Sequence, residues 1–397
     1  MTHSKSSAWD GLIVFCAANN YDGIKLADQH FAEQLSKLVP VLYVDPPVSS
    51  LAPLKKPRMA SRMVGSRIRI LGPGLARLTP IVEPFPSKRQ LTELTAKLVR
   101  AYLRRAVAQL GAPRIEAVIS AWPQYPVFGT CQERVRVYWA QDDFVGGAAL
   151  LGFNAQHLDA CERRVAASAD FIVAANPVVA DSWRARGGDV FLIPYGADVN
   201  AYTDVDHAEQ AVDVVLEGPV VGFVGHINSR IDMRLLEAVA DRDRSLLLVG
   251  PKDPAFEPQR FDALVSRPNV SWVGPKPFDA LPSYFRAIDV GIVPYGDSPF
   301  NRGSFPLKTL EYLAAGRAVV STDLPATRWL DTNLVAISSA PEAFADHVER
   351  LLEEGAESGL AASRKEFAAK HSWPVRAGEF YEAILNRKPM QVDYQAQ

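Results

Sequence analysis

The stretch Val220-Val221-Gly222-Phe223-Val224-Gly225-His226-Ile227-Asn228-Ser229-Arg230-Ile231-Asp232 decides the fold. An apolar run of strand length ends at a glycine, passes through a polar loop and enters a segment of helical period. The same unit recurs downstream, with strands expected at Leu246 to Val249, Val270 to Val273, Val290 to Val293 and Ala318 to Ser321. Alternation of buried strands with helices is the pattern of a parallel sheet covered on both faces. Upstream, Leu12-Ile13-Val14-Phe15 leads to the polar loop Asn19-Asn20-Tyr21-Asp22-Gly23. A helix with Leu26, Phe31, Leu35 and Leu38 on one face follows, then a strand from Val41 to Val44 stopped by Asp45-Pro46-Pro47. Further strands are expected at Ala117 to Ser120, Val135 to Trp139, Phe171 to Ala174 and Phe191 to Pro194.

The chain therefore reads as α/β, with two Rossmann-like doubly wound sheets in tandem. Its 397 residues exceed what one hydrophobic core ordinarily supports. The expected division is residues 1–200, residues 201–372 and a tail, 373–397. The polar, acidic segment Tyr195 to Gly218 reads as the linker. The tail holds an amphipathic helix with Phe380, Tyr381 and Leu385. Crossing back to brace the first lobe and packing on the second are equally open to it.

Composition narrows the chemistry. A formal net charge of -2 argues against a nucleic-acid binder. Cys16, Cys131 and Cys161 are odd in number and far apart, which supports neither a disulfide framework nor a metal site. The polar first residues and the short apolar run after them resemble neither a secretory signal nor a membrane span, so the cytoplasm is the expected location.

The strongest local signal is Asn301-Arg302-Gly303-Ser304-Phe305-Pro306-Leu307-Lys308-Thr309-Leu310-Glu311-Tyr312-Leu313-Ala314-Ala315-Gly316. Pro306 suits an early helical position because its missing N–H has no partner there. Free amides near Leu307, Lys308 and Thr309, with the helix dipole, form a site for a diphosphate, and Lys308 adds a full charge. Glu311, one turn on, can accept both hydroxyls of a ribose. Read alone, this is also an ordinary capped helix with a surface Lys and Glu. The loop carrying His226 and Arg230 reverses that reading, although His226 taken alone reads as a polar loop residue hydrogen-bonded to backbone. Ligands collect outside the carboxyl ends of strands in such sheets, and the Arg fork matches phosphate. Gly225 and Gly274 end strands where backbone groups can meet a phosphate or a base edge.

The succession of Val270-Ser271-Trp272-Val273-Gly274, then Tyr284-Phe285-Arg286-Ala287-Ile288-Asp289-Val290-Gly291-Ile292-Val293-Pro294, then the Pro306 to Thr322 segment resembles the C-terminal lobe of GT-B glycosyltransferases of the family-4, or group 1, type. More narrowly it is similar to teichuronic acid biosynthesis glycosyltransferases. The detailed resemblance covers residues 215–325 and is weaker over the first lobe. It implies two lobes facing across a cleft, with Glu311 as the second glutamate of an E-x7-E signature that holds the nucleotide ribose. Arg230 matches the basic residue at the diphosphate. Two positions depart from the pattern: Gly303 stands where the first glutamate belongs, and His226 where an Arg is common. An unperturbed imidazole is mostly neutral above neutral pH, which weakens the phosphate clamp.

The first lobe is expected to take the acceptor. Asp142 and Asp143 follow a strand and suit a base or an orienting group for the acceptor hydroxyl, or equally an acidic turn cap. Gly23 lies in a small loop that would let phosphate approach the backbone; it is not a dinucleotide fingerprint, so no nicotinamide cofactor is indicated. No Asp or Glu occurs from Pro46 to Val82, while Lys55, Lys56, Arg58, Arg62, Arg67, Arg69 and Arg77 all do. Lys88, Arg89, Lys97, Arg100, Arg104 and Arg105 extend the basic region over residues 55–105. Such a face would attract an anionic membrane or a lipid-diphosphate acceptor by ~1 kcal/mol per charge close to a membrane; a solvated surface balanced by acids elsewhere is the alternative reading.

The expectation is a hexosyltransferase using a UDP- or GDP-linked sugar and a sugar, lipid-linked or small-molecule acceptor, with no metal and no cofactor beyond the donor. A retaining outcome is implied by the resemblance alone. A sugar-nucleotide epimerase and a catalytically degenerate binding partner are the alternatives.

Overall fold

A computed structural model describes residues 7–23, 25–52, 67–84, 91–355 and 359–387. The chain divides into two compact units, Met1–Pro194 with Arg376–Gln397, and Tyr195–Val375.

In the first unit, β1 (Leu12–Cys16) is the central strand. Its Leu12, Ile13, Val14 and Phe15 have no exposed surface, as expected of a strand covered on both faces. On one side β1 pairs with β2 (Val41–Val44), which pairs with β5 (Leu75–Leu78); β4 (Ile68–Gly72) closes the edge antiparallel. On the other side come β7 (Ile115–Ser120), β8 (Val135–Ala140), β9 (Phe171–Ala174) and β10 (Val190–Leu192), all parallel. A separate pair joins β3 (Val48–Ser49) to β6 (Ile81–Val82).

The β4–β5 hairpin is not among the strands the apolar pattern predicts, because Arg77 interrupts the run in β5. Arg77 also departs from the expected basic face. It is 2% exposed, with Nη1 on Asp22 at 2.6 Å and Nη2 on Asp45 at 2.7 Å. Lys55, Lys56, Arg58, Arg62, Lys88 and Arg89 lie outside the described residues. Arg67, Arg69, Lys97, Arg104 and Arg105 are exposed, and Arg100 is half-buried. The first helix spans only Ala27–Leu35, so Leu26 and Leu38 fall outside it and are exposed, while Phe31 and Leu35 are buried. The final helix, Trp373–Leu385, enters the first unit from Arg376. There Phe380 meets Phe31 and Trp139 at 4.8 and 5.5 Å between ring centroids.

The second unit is a parallel sheet in the order β13 (Val270–Trp272), β12 (Ser245–Val249), β11 (Val220–Val224), β14 (Val290–Val293), β15 (Ala318–Ser321) and β16 (Val335–Ile337). Strand order reverses between β11 and β14, the place where open α/β sheets bind ligands. These two strands pair only at Val221↔Val290 and Gly222↔Gly291, then diverge. Tyr312 fills the gap: its hydroxyl accepts from Val224 N at 2.8 Å and donates to Gly222 O at 3.0 Å. Glycine at 291 makes the room, since a Cβ there would lie 2.3 Å from the Tyr312 ring.

The segment Tyr195 to Gly218 is not a free linker. Tyr202, Val205 and Ala211 belong to the core of the second unit, and the Tyr202 ring lies 4.4 Å from that of Phe285. Its acids lie among a few apolar anchors, a mixture too short to show a period. Among the described residues, no helix is long and apolar enough to cross a membrane.

Candidate functional site

The loop after β11, Gly225 to Asp232, and the loop after β14, Pro294 to Pro306, flank the strand reversal and are laced together. Asp232 N–H donates to Pro294 O at 2.9 Å and Gly296 N–H to Arg230 O at 2.8 Å. Asn301, 1% exposed, completes the lacing. Its Nδ2 donates to Arg230 O at 2.9 Å and to Gly296 O at 2.8 Å, while its Oδ1 accepts from Arg230 Nε at 2.8 Å. Arg230 Nη2 donates to Ser304 Oγ at 2.9 Å. The guanidinium carbon lies 4.4 Å from the Tyr295 ring centre and 5.1 Å from that of Phe300.

Other arginines of this unit are neutralised by carboxylates, as in Arg234–Asp232, Arg244–Glu349, Arg260–Glu237 and Arg302–Asp297. Arg230 is held, among the described residues, by an amide, a hydroxyl and two rings. A cation fixed by neutral partners at a ligand-binding edge keeps its full charge for an anion.

The helix Leu307–Ala314 begins beside this loop, with Pro306 as its cap residue. Two of the amides expected to be free are engaged: Leu307 N–H donates to Phe305 O at 2.9 Å and Thr309 N–H to Pro306 O at 3.0 Å. The Thr309 side chain is fully buried and its hydroxyl meets no hydrogen-bond partner among the described residues. Lys308 Nζ pairs with Glu311 one turn on; their side chains are 21% and 7% exposed. Burial, and then the Glu311 carboxylate, push the Tyr202 hydroxyl well above the usual phenol range. His226 is exposed.

Gly225, Gly250 and Gly274 end β11, β12 and β13. A Cβ on Gly250, at φ +140°, would lie 1.9 Å from Gly225 O, and Gly250 N–H donates to Gly274 O at 2.9 Å. Gly250 follows the apolar Leu246 to Val249 run as Gly225 and Gly274 follow theirs, the signal by which the sequence marks it as the middle member of this edge.

In the first unit, Asp143 Oδ1 accepts Gly146 N–H at 2.7 Å, the geometry of an acidic turn cap. Asp142 is half-buried and precedes it. The loop after β1 is closed on its own carboxylates. Asp28 accepts from Ala18 N, Asn19 N and Asn19 Nδ2 at 2.9, 2.8 and 3.0 Å and from Gln141, while Asp45 accepts Tyr21 N–H at 2.9 Å. Gly23 N–H donates to Asn20 O at 3.0 Å. Amides so occupied offer an incoming phosphate little, contrary to the expectation for this loop.

Sequence reasoning missed Asn301, Ser304, Tyr295 and Phe300 as holders of Arg230, and also Glu162. Glu162 accepts from Tyr138 Oη at 2.6 Å, and burial pushes its carboxyl up to about 7. Among the described residues, no group of three or more His, Cys, Asp or Glu is placed to hold a metal ion.

Residues 218–354 match the family described as glycosyl transferases group 1. A Bacillus subtilis (strain 168) protein named for teichuronic acid biosynthesis, the glycosyltransferase TuaH, is 35% identical over 162 residues, covering 40% of this chain and 41% of that one. The chain spans about half the length of the curated relatives it matches. Among solved structures, a sucrose-phosphate synthase from Thermosynechococcus elongatus superposes with a TM-score of 0.70 at 17% identity, covering 94% of this chain and 98% of that one. Anabaena HepE in complex with UDP and glucose gives 0.65 at 14% identity, covering 95% and 100%. The fold is that of the GT-B glycosyltransferases.

Proposed function

We propose that this chain, whose residues 218–354 match the glycosyl transferases group 1, moves a hexosyl group from a UDP- or GDP-linked sugar to a hydroxyl acceptor. The observation that carries the reading is Arg230, a cation fixed by neutral groups at the strand reversal of the second unit. Arg230 and Lys308 hold the donor diphosphate, Glu311 takes the ribose hydroxyls, and His226 and the edge at Gly225 and Gly274 complete the pocket. Donor binding then exchanges the Lys308–Glu311 pair for contacts to phosphate and ribose. HepE, whose structure holds UDP and glucose, supports a nucleotide-sugar donor.

In the transfer, the bond from the anomeric carbon to the diphosphate oxygen breaks as the acceptor oxygen bonds to that carbon. The acceptor proton leaves to the departing phosphate in a retaining reaction, and Arg230 and Lys308 stabilise the charge that develops there. No metal takes part in this scheme. The first unit binds the acceptor, with Asp142 as the group that orients its hydroxyl. The likeness to TuaH supports a place in cell-envelope polysaccharide synthesis. The exposed Lys97, Arg104 and Arg105 support attachment to the inner face of an anionic membrane; flotation with anionic liposomes at low salt tests this, and absence of binding removes it.

The deciding experiment incubates the protein with a panel of UDP- and GDP-sugars, with and without sugar and lipid-linked acceptors. Nucleotide release that depends on acceptor is the expected result. Acceptor-free isomerisation would replace the reading with an epimerase, and binding without turnover with a nucleotide-sugar-binding partner. Product NMR decides the stereochemistry.

A further inference from the structure

We infer that Asn301 and Ser304 are positioning residues that aim Arg230 at the donor diphosphate while leaving its charge uncompensated. The inference rests on the proposed donor site and concerns how that site is built. An arginine side chain is flexible, and immobilising it on ligand arrival opposes binding. Here it is immobilised beforehand. Nε is fixed by Asn301 Oδ1 and Nη2 by Ser304 Oγ, so these two nitrogens are engaged and Nη1 has no hydrogen-bond partner among the described residues.

The Asn301 amide admits one orientation, because its Nδ2 faces two carbonyl oxygens and its Oδ1 faces an N–H. It thereby fixes the backbone and the side chain of Arg230 together. Ser304, 4% exposed, donates to Asn301 O at 3.3 Å, which directs an oxygen lone pair towards the guanidinium. Ser298 Oγ in turn accepts Asn301 N–H at 3.2 Å. The Tyr295 and Phe300 rings shield the charge from water without cancelling it. A carboxylate would hold the same fork, as Asp297 holds Arg302, but would neutralise it.

The test is calorimetric titration of the full-length protein with UDP and with GDP, using whichever binds, in a double-mutant cycle. Arg230→Ala is expected to weaken binding about 100-fold. Asn301→Ala is expected to weaken it about tenfold and Ser304→Ala about threefold, with Ser304→Thr restoring it. In the Arg230→Ala background, neither Asn301→Ala nor Ser304→Ala should change affinity by more than about twofold. Full, additive losses in that background would overturn the positioning role while leaving the donor site in place. If Asn301→Ala melts too early to titrate, the Ser304 pair decides alone. If neither nucleotide binds the wild type, or Arg230→Ala binds as tightly, the donor-site reading falls and takes this inference with it.

Discussion

The two units share a strand order around their first strands, β2–β1–β7 in one and β12–β11–β14 in the other, yet treat the carboxyl ends of those strands oppositely. In the first unit the loop after β1 turns its amides onto the chain's own buried carboxylates, Asp28 and Asp45, and Asp45 also neutralises Arg77. In the second unit the matching edge presents Arg230 on neutral supports. One edge has most of its amides occupied internally and the other has charge left over. Polar residues at a strand reversal are therefore not by themselves a binding site; what matters is whether their partners are already inside the chain.

The largest effect expected from this contrast is on stability in the first unit. Asp45→Ala leaves Arg77 buried with only Asp22, and should destabilise that unit by about 3–5 kcal/mol in urea unfolding. UDP or GDP affinity of the folded protein should stay within about twofold; a collapse of binding would break the division of labour between the units.

Glu162 comes next. Its carboxyl, at about 7 in the folded chain against 4.5 for an ordinary glutamate, retains its proton to higher pH than the unfolded chain does. Folded protein thus binds more protons between those values, and stability falls as pH rises through that window. At pH 8 the penalty is about 3 kcal/mol, which Glu162→Gln should remove. Melts at pH 5, 6.5 and 8 should show a higher melting temperature for the variant at pH 8 and a flatter profile.

Arg230→Ala reverses the Asp45 pattern: about 2.7 kcal/mol of nucleotide affinity should go while the melting temperature shifts by only a few degrees. Smallest is Glu311→Gln, expected to weaken nucleoside diphosphate binding about tenfold. Pyrophosphate alone should bind it at least as well as the wild type, because Lys308 is released from its partner. Equal losses for both ligands would remove Glu311 from the ribose.

Much of this was legible in the chain. Continuous apolar runs such as Leu12 to Phe15 and Leu246 to Val249 can hardly be anything but buried strands, and they carry the α/β architecture. Arg230 and Lys308 stood out because one follows a strand and the other lies at a helix start, and Glu311 because it lies one turn further along that helix. What stayed hidden depends on partners far away along the chain. Asn301 and Ser304 meet Arg230 across 71 and 74 positions, and no periodicity marks such a pair. Arg77 looked like one more member of a basic run because Asp45, 32 residues earlier, neutralises it only in the folded state. The free amides expected at Leu307 and Thr309 were lost to local carbonyls, a detail of the first turn that Pro306 alone does not predict.

The Tyr312 hydroxyl has a mechanical consequence. It rivets the helix bearing Lys308 and Glu311 to the strand whose end leads into Arg230. Both banks of the candidate site are thus gauged against a single phenol ring, so the spacing of helix and strand is fixed beneath the laced loops as well as by them.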